Sequence, residues 1–168
     1  MVAIIIIIIS FLLDGVLTNF LPYLPNDLSI FTPLLTVTII FLIYPFYYKK
    51  KKNYLITIFI VGLLYDLFYT NLLFFNAIIF LLIGYISSYI YKNFEISYGK
   101  IILYTIIIIT IYECVTALII VLFNLVPITP YKVLYKITHS LILNIIYAEG
   151  IYFIINRLPK KYRKININ

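Results

Sequence analysis

Tyr47-Tyr48-Lys49-Lys50-Lys51-Lys52-Asn53-Tyr54 sets four consecutive cations between two apolar stretches, Phe31 to Tyr48 and Tyr54 to Tyr69. A Lys at the centre of a bilayer costs about 2.5–3.5 kcal/mol on insertion scales, so this run marks a watery loop between two membrane spans. Along the chain the same sign returns at every second gap. Lys92 and Lys100 flank one such gap, and Arg157, Lys160, Lys161, Arg163 and Lys164 follow the last apolar stretch. Only Lys132 and Lys136, of 13 basic residues, stand elsewhere. Short loops rich in Lys and Arg are retained in the cytoplasm. The pattern therefore predicts six spans with both termini inside.

Composition agrees. The chain of 168 residues is 64% hydrophobic and 11% charged, with mean hydropathy +1.09. Soluble domains carry roughly 25% charge, so the polar surface needed to cover a soluble globule is missing. A spanning helix needs about 20 mostly apolar residues. The stretches that qualify are Ala3 to Tyr23, Phe31 to Tyr48, Tyr54 to Tyr69, Leu72 to Tyr91, Ile101 to Phe123 and Val133 to Ile155. With their loops they use almost the whole length, leaving one all-α transmembrane domain over residues 1–168. The continuous runs Ile4 to Ile9 and Ile106 to Ile109 argue against a β-barrel, whose strands alternate apolar and polar residues. The first stretch lacks a preceding Lys or Arg and a small-x-small cleavage site, and Asp14 interrupts it, so it reads as a retained helix rather than a secretory signal.

Between the spans, Pro25, Asn26 and Asp27 make an outer loop with no basic residue, and a tight turn around Asn71 joins helices three and four as a hairpin. An inner loop holds Glu95 and Gly99, and an outer one holds Pro127 and Pro130 with the exceptional Lys132 and Lys136. Tyr23, Tyr48, Tyr54 and Tyr91 at span ends suit an interfacial aromatic belt. Lys outnumbers Arg by eleven to two beside abundant Ile and Asn, as an A/T-rich coding sequence would give, so part of the tyrosine content reads as drift. No internal repeat stands out.

The net charge of +7 does not point to nucleic acid, because the cations flank spans and suit anionic head groups. Membrane lipids are the expected contact. Catalysis is not expected either: one His and one Cys cannot build a metal cluster, and neither a Gly-rich phosphate loop nor a nucleophile motif is present. No cofactor or metal is called for. Cys114, inside a span, reads as packing.

The informative residues are polar ones within spans, which normally face the protein interior or water. They are Asp14, Asp66, Glu113, His139, Asn144 and Glu149. Ser10, Asp14 and Thr18 share one stripe of helix one; Phe59, Gly62, Asp66 and Tyr69 share one of helix three. Thr110, Glu113 and Ala117 lie together on helix five, Ser140, Asn144 and Ala148 on helix six, and Gly84 and Ser88 on helix four. Small and hydrogen-bonding residues at these spacings are what membrane helices use to associate. A proton or ion relay through Glu113, His139, Asn144 and Glu149 is the competing reading, weakened by the absence of a mid-membrane cation and by the different depths of the acids.

The segment Gly62-Leu-Leu-Tyr-Asp66-Leu-Phe-Tyr69-Thr-Asn-Leu-Leu73 resembles the signature of the MreD family of rod shape-determining membrane proteins, in the form typical of Gram-positive and related bacteria. There a Gly-x-x-x-Asp helix end precedes a short Tyr-Thr-x-Leu-Leu-Gly turn. Pro33 matches a family proline, Glu113 a frequent acid of the fifth helix, and Asn144 an Asn-containing stretch of the last. The family's Gly after Leu-Leu is Phe74 here, leaving Asn71 or Asn76 to supply the turn chemistry. The resemblance implies a six-helix fold similar to the substrate-binding subunits of energy-coupling-factor transporters. It also implies a non-enzymatic scaffold that binds the single-span protein MreC and, through it, supports MreB, RodA and a class B penicillin-binding protein in peptidoglycan synthesis. Homo-oligomerisation is compatible with either implication. The transporter similarity leaves a vitamin-type substrate-binding subunit as the alternative. Gly62, Asp66, Tyr69, Leu73, Pro33, Glu113 and Asn144 are the expected packing or partner-binding residues, and substitution of Gly62 or Asp66 is expected to do more damage than change at Glu95.

Overall fold

A computed structural model describes residues 2–20, 23–24, 28–29, 33–48, 50–70, 72–94, 97–124 and 127–158. Its helices are α1 (Val2–Phe20), α2 (Leu35–Leu42), α3 (Lys51–Tyr65), α4 (Phe75–Asn93), α5 (Tyr98–Leu122) and α6 (Pro130–Arg157). Between α1 and α2 two short strands, β1 (Tyr23–Leu24) and β2 (Leu28–Ser29), pair antiparallel with Tyr23 opposite Ser29. Asp27, Asn71, Glu95 and the basic tail from Lys160 onward lie outside the described residues.

Five of the helices are long and apolar enough to cross a membrane. The second is shorter than the expected stretch from Phe31 to Tyr48, but it leads from Asp14 near the end of α1 to Tyr54 near the start of α3 and so carries the chain back along the bundle. It has only 8 residues, all of them buried. A helix apolar on every face belongs inside a protein, and α2 packs against α1, α4, α5 and α6 as a central post. Proline sets its limits. Pro45 cannot donate an N–H and its ring clashes with the carbonyl four residues back, so the helix gives way to a 3-10 turn over Tyr44–Tyr47. Pro33 stands just before the first turn, whose free N–H groups find other partners.

The long helices are displaced from the expected limits in an instructive way. Lys51 and Lys52 form the first turn of α3 instead of a loop, and α3 runs on through a π turn over Asp66–Thr70. Lys132 and Lys136 likewise belong to α6, which Pro130 opens at its first position while the Thr129 side chain accepts the N–H of Lys132. α3 pairs with α4, and α5 with α6. Tyr54 and Tyr91 are buried instead of sitting in an interfacial belt; the Tyr54 hydroxyl donates to the Ile40 carbonyl at 2.7 Å. Cys114 is exposed, not packed.

The outer faces are hydrophobic. Ile4, Ile5, Ile8, Ile9, Leu12 and Val16 project from α1 without cover, as a lipid-facing helix requires. Lipid tails are as apolar as Leu, so burial of greasy surface does not drive helices together in a bilayer; close packing and hydrogen bonds must do it.

Candidate functional site: two carboxylate clasps

The first N–H groups of any helix lack intrahelical acceptors. At the start of α4 the residue in the capping position is Phe74, whose side chain cannot accept a hydrogen bond, and its φ is 68°. Asp66, completely buried at the end of α3, takes over that task. Its Oδ1 accepts from the Asn76 backbone N–H at 2.8 Å, the Asn76 side-chain amide at 2.9 Å and the Thr70 hydroxyl at 3.0 Å. Its Oδ2 accepts from the Ala77 N–H at 3.1 Å. Tyr112 of α5 donates its hydroxyl to Asn76 Oδ1 at 2.9 Å, extending the network to a third helix.

Gly62 makes this approach possible. A Cβ at that position would lie 2.5 Å from Ala77 Cα and 2.9 Å from Ala77 N. Those are backbone atoms of α4, which cannot swing aside. Residues four apart share a helix face, so Gly62 lets α4 rest directly on α3 while Asp66, one turn further on, clasps its N-terminus.

A second clasp repeats the device. Asp14 of α1 is buried and accepts from the Leu35 N–H through Oδ1 at 2.7 Å and from the Thr36 N–H through Oδ2 at 2.9 Å. Asn144 of α6 accepts the Leu34 N–H at 3.0 Å and returns its own amide to the Ser140 carbonyl at 2.6 Å. The start of α2 is thus received by side chains of two neighbouring helices. Ser10, one turn before Asp14, joins the Tyr147 hydroxyl of α6 at 2.7 Å.

The residues singled out from sequence divide accordingly. Gly62 and Asp66 meet at the α3–α4 clasp; Asn144 belongs to the α1–α2–α6 clasp, and Pro33 directly precedes Leu34, whose N–H Asn144 accepts. Tyr69 reaches α1, donating to the Phe11 carbonyl at 2.7 Å and filling the space beside Gly15. Leu73 is 63% exposed and joins neither clasp. Glu113 is buried on α5 beside Tyr112 but makes none of the clasp hydrogen bonds. His139 stacks on Tyr135 at 3.8 Å, and Glu149 is exposed, so the imagined relay partners are not brought together. Sequence reasoning did not foresee Tyr112 or Tyr147, which are 2 of 18 tyrosines with no distinguishing pattern.

Chemically, the two clasps pair carboxylates with backbone donors. Among the described residues no group of three or more His, Cys, Asp or Glu side chains could hold a metal ion. The arrangement orders helices.

Residues 1–162 match the family described as rod shape-determining protein MreD. The chain belongs to the MreD family. The Gly62 to Leu73 segment that carried the resemblance holds the Gly62/Asp66 side of the α3–α4 clasp, and Phe74 after it is left-handed. No curated protein and no solved structure matches the chain. It is a membrane protein of the rod-shape class, with several helices long and apolar enough to span the bilayer.

Proposed function

We propose that the chain is a non-catalytic scaffold of the bacterial cell-elongation machinery. It sits in the plasma membrane with both termini in the cytoplasm, binds MreC, and through it supports MreB, RodA and a class B penicillin-binding protein in peptidoglycan synthesis. The observation that carries this reading is the match to MreD over residues 1–162. The clasps fit it: acids whose oxygens hold helix starts are used to build a rigid surface for other helices.

The experiment is depletion in the native bacterium together with affinity purification from gently solubilised membranes. Loss of rod shape with co-purifying MreC is the expected result. Unchanged shape and no MreC in the eluate would defeat the proposal. No specific observation favours the vitamin-type substrate-binding subunit.

A further inference from the structure

At the end of the α3–α4 hairpin away from Asp66, Lys51, Lys52, Leu55, Ile56, Phe59 and Leu81 line an open groove of about 570 Å³. That lies within the range of about 300–1,000 Å³ typical of small-molecule sites. Its walls are apolar and its mouth is cationic. From Lys51 to Phe59 the helix rises about 12 Å, enough for a substantial part of an acyl chain. The Lys51 ammonium is steadied 4.0 Å above the Tyr85 ring of α4, an attraction that holds the charge at the mouth. The first turn of α3 contains no acid, and its capping residue Lys50 supplies no side-chain hydrogen bond. Among the described residues of that turn, positive charge therefore stands with no acid beside it, and the N-terminal end of the helix dipole adds to it.

We propose that this groove is a binding site for one anionic phospholipid, its phosphate at Lys51 and Lys52 and an acyl chain along Leu55, Ile56, Phe59 and Leu81. The charge pattern selects the occupant. A zwitterionic lipid brings no net charge to match the two ammonium groups, and a purely apolar helix would leave them unpaired. The inference stands apart from the MreC reading.

The chain has no tryptophan, so Phe59→Trp places a lone fluorophore in the groove. The full-length variant is reconstituted in phosphatidylcholine vesicles, and quenching by brominated phosphatidylglycerol is compared with quenching by brominated phosphatidylcholine. One Lys near a surface favours anionic lipid by roughly fivefold, so a preference of at least about fivefold for phosphatidylglycerol is expected. It should fall to near unity in the Lys51→Ala/Lys52→Ala background and weaken in high salt. Ile142→Trp on α6, where Ile142 is 59% exposed, should show no preference. Ile56→Trp reads the same groove if Phe59→Trp does not fold. Equal quenching by both lipids in the groove, a preference that survives loss of both lysines, or the same preference at position 142 would each overturn the proposal.

Discussion

Replacing Gly62 with Ala adds one methyl group at the tightest point of the α3–α4 contact. The new Cβ would lie 2.5 Å from Ala77 Cα, whereas carbon atoms rest at about 3.5–4.0 Å. α4 must therefore retreat by about 1.0–1.5 Å. Asp66 now reaches the N–H groups of Asn76 and Ala77 at 2.8 and 3.1 Å. A retreat of that size takes both past the limit of about 3.2 Å for a sound N–H···O bond. Each buried donor left unpaired costs about 1–3 kcal/mol, giving a loss of about 2–6 kcal/mol for the pair. For a chain of this length 1 kcal/mol moves Tm by about 2–4 °C, so a fall of roughly 5–20 °C is expected. Thermal unfolding of the detergent-solubilised protein, followed by size-exclusion recovery after heating, measures it. Gly99→Ala is the control, because nothing lies within 4 Å of its added Cβ. A Gly62→Ala protein melting within 2 °C of the parent would refute the reasoning.

Other substitutions probe the same physics. Phe74→Gly relieves a left-handed residue with φ 68°, a strain of about 1–2 kcal/mol, and should raise Tm by a few degrees in the same melting assay. Asp14→Ala frees the N–H groups of Leu35 and Thr36, now bonded at 2.7 and 2.9 Å, and should destabilise by about 2–6 kcal/mol; Glu149→Ala, at an exposed position, should leave Tm unchanged. Tyr112→Phe removes the 2.9 Å bond to Asn76 Oδ1 and should cost about 1 kcal/mol, read as a small drop in Tm with the fold retained by circular dichroism.

Gly62 and Asp66 were legible as a pair because a residue without a side chain and a buried acid one turn apart have few uses in a membrane helix. Their partner was harder to read. The backbone N–H groups that Asp14 and Asp66 bind leave no mark in the sequence, so neither acid announced which helix start it would hold, although Thr70 and Asn76 also donate to Asp66 through their side chains. The truncation of α2 was hidden for a related reason. Phe31 to Tyr48 is apolar enough for a span, and hydropathy does not separate a helix facing lipid from one buried on all sides. Pro33 and Pro45 were the available signals. Lys51, Lys52, Lys132 and Lys136 entered helices because long cationic side chains can extend toward water from a helix end, so the helix limits outrun the apolar stretches.

The central claim is that the Gly62/Asp66 clasp shapes the surface MreC recognises. Tagged parent, Asp66→Ala and Glu149→Ala chains, each co-expressed with MreC and compared for retained MreC at matched amounts of folded monodisperse protein, test it most directly. The account predicts retention by the parent and Glu149→Ala and loss of most MreC from Asp66→Ala. Equal retention by all three, or none by the parent, would contradict it.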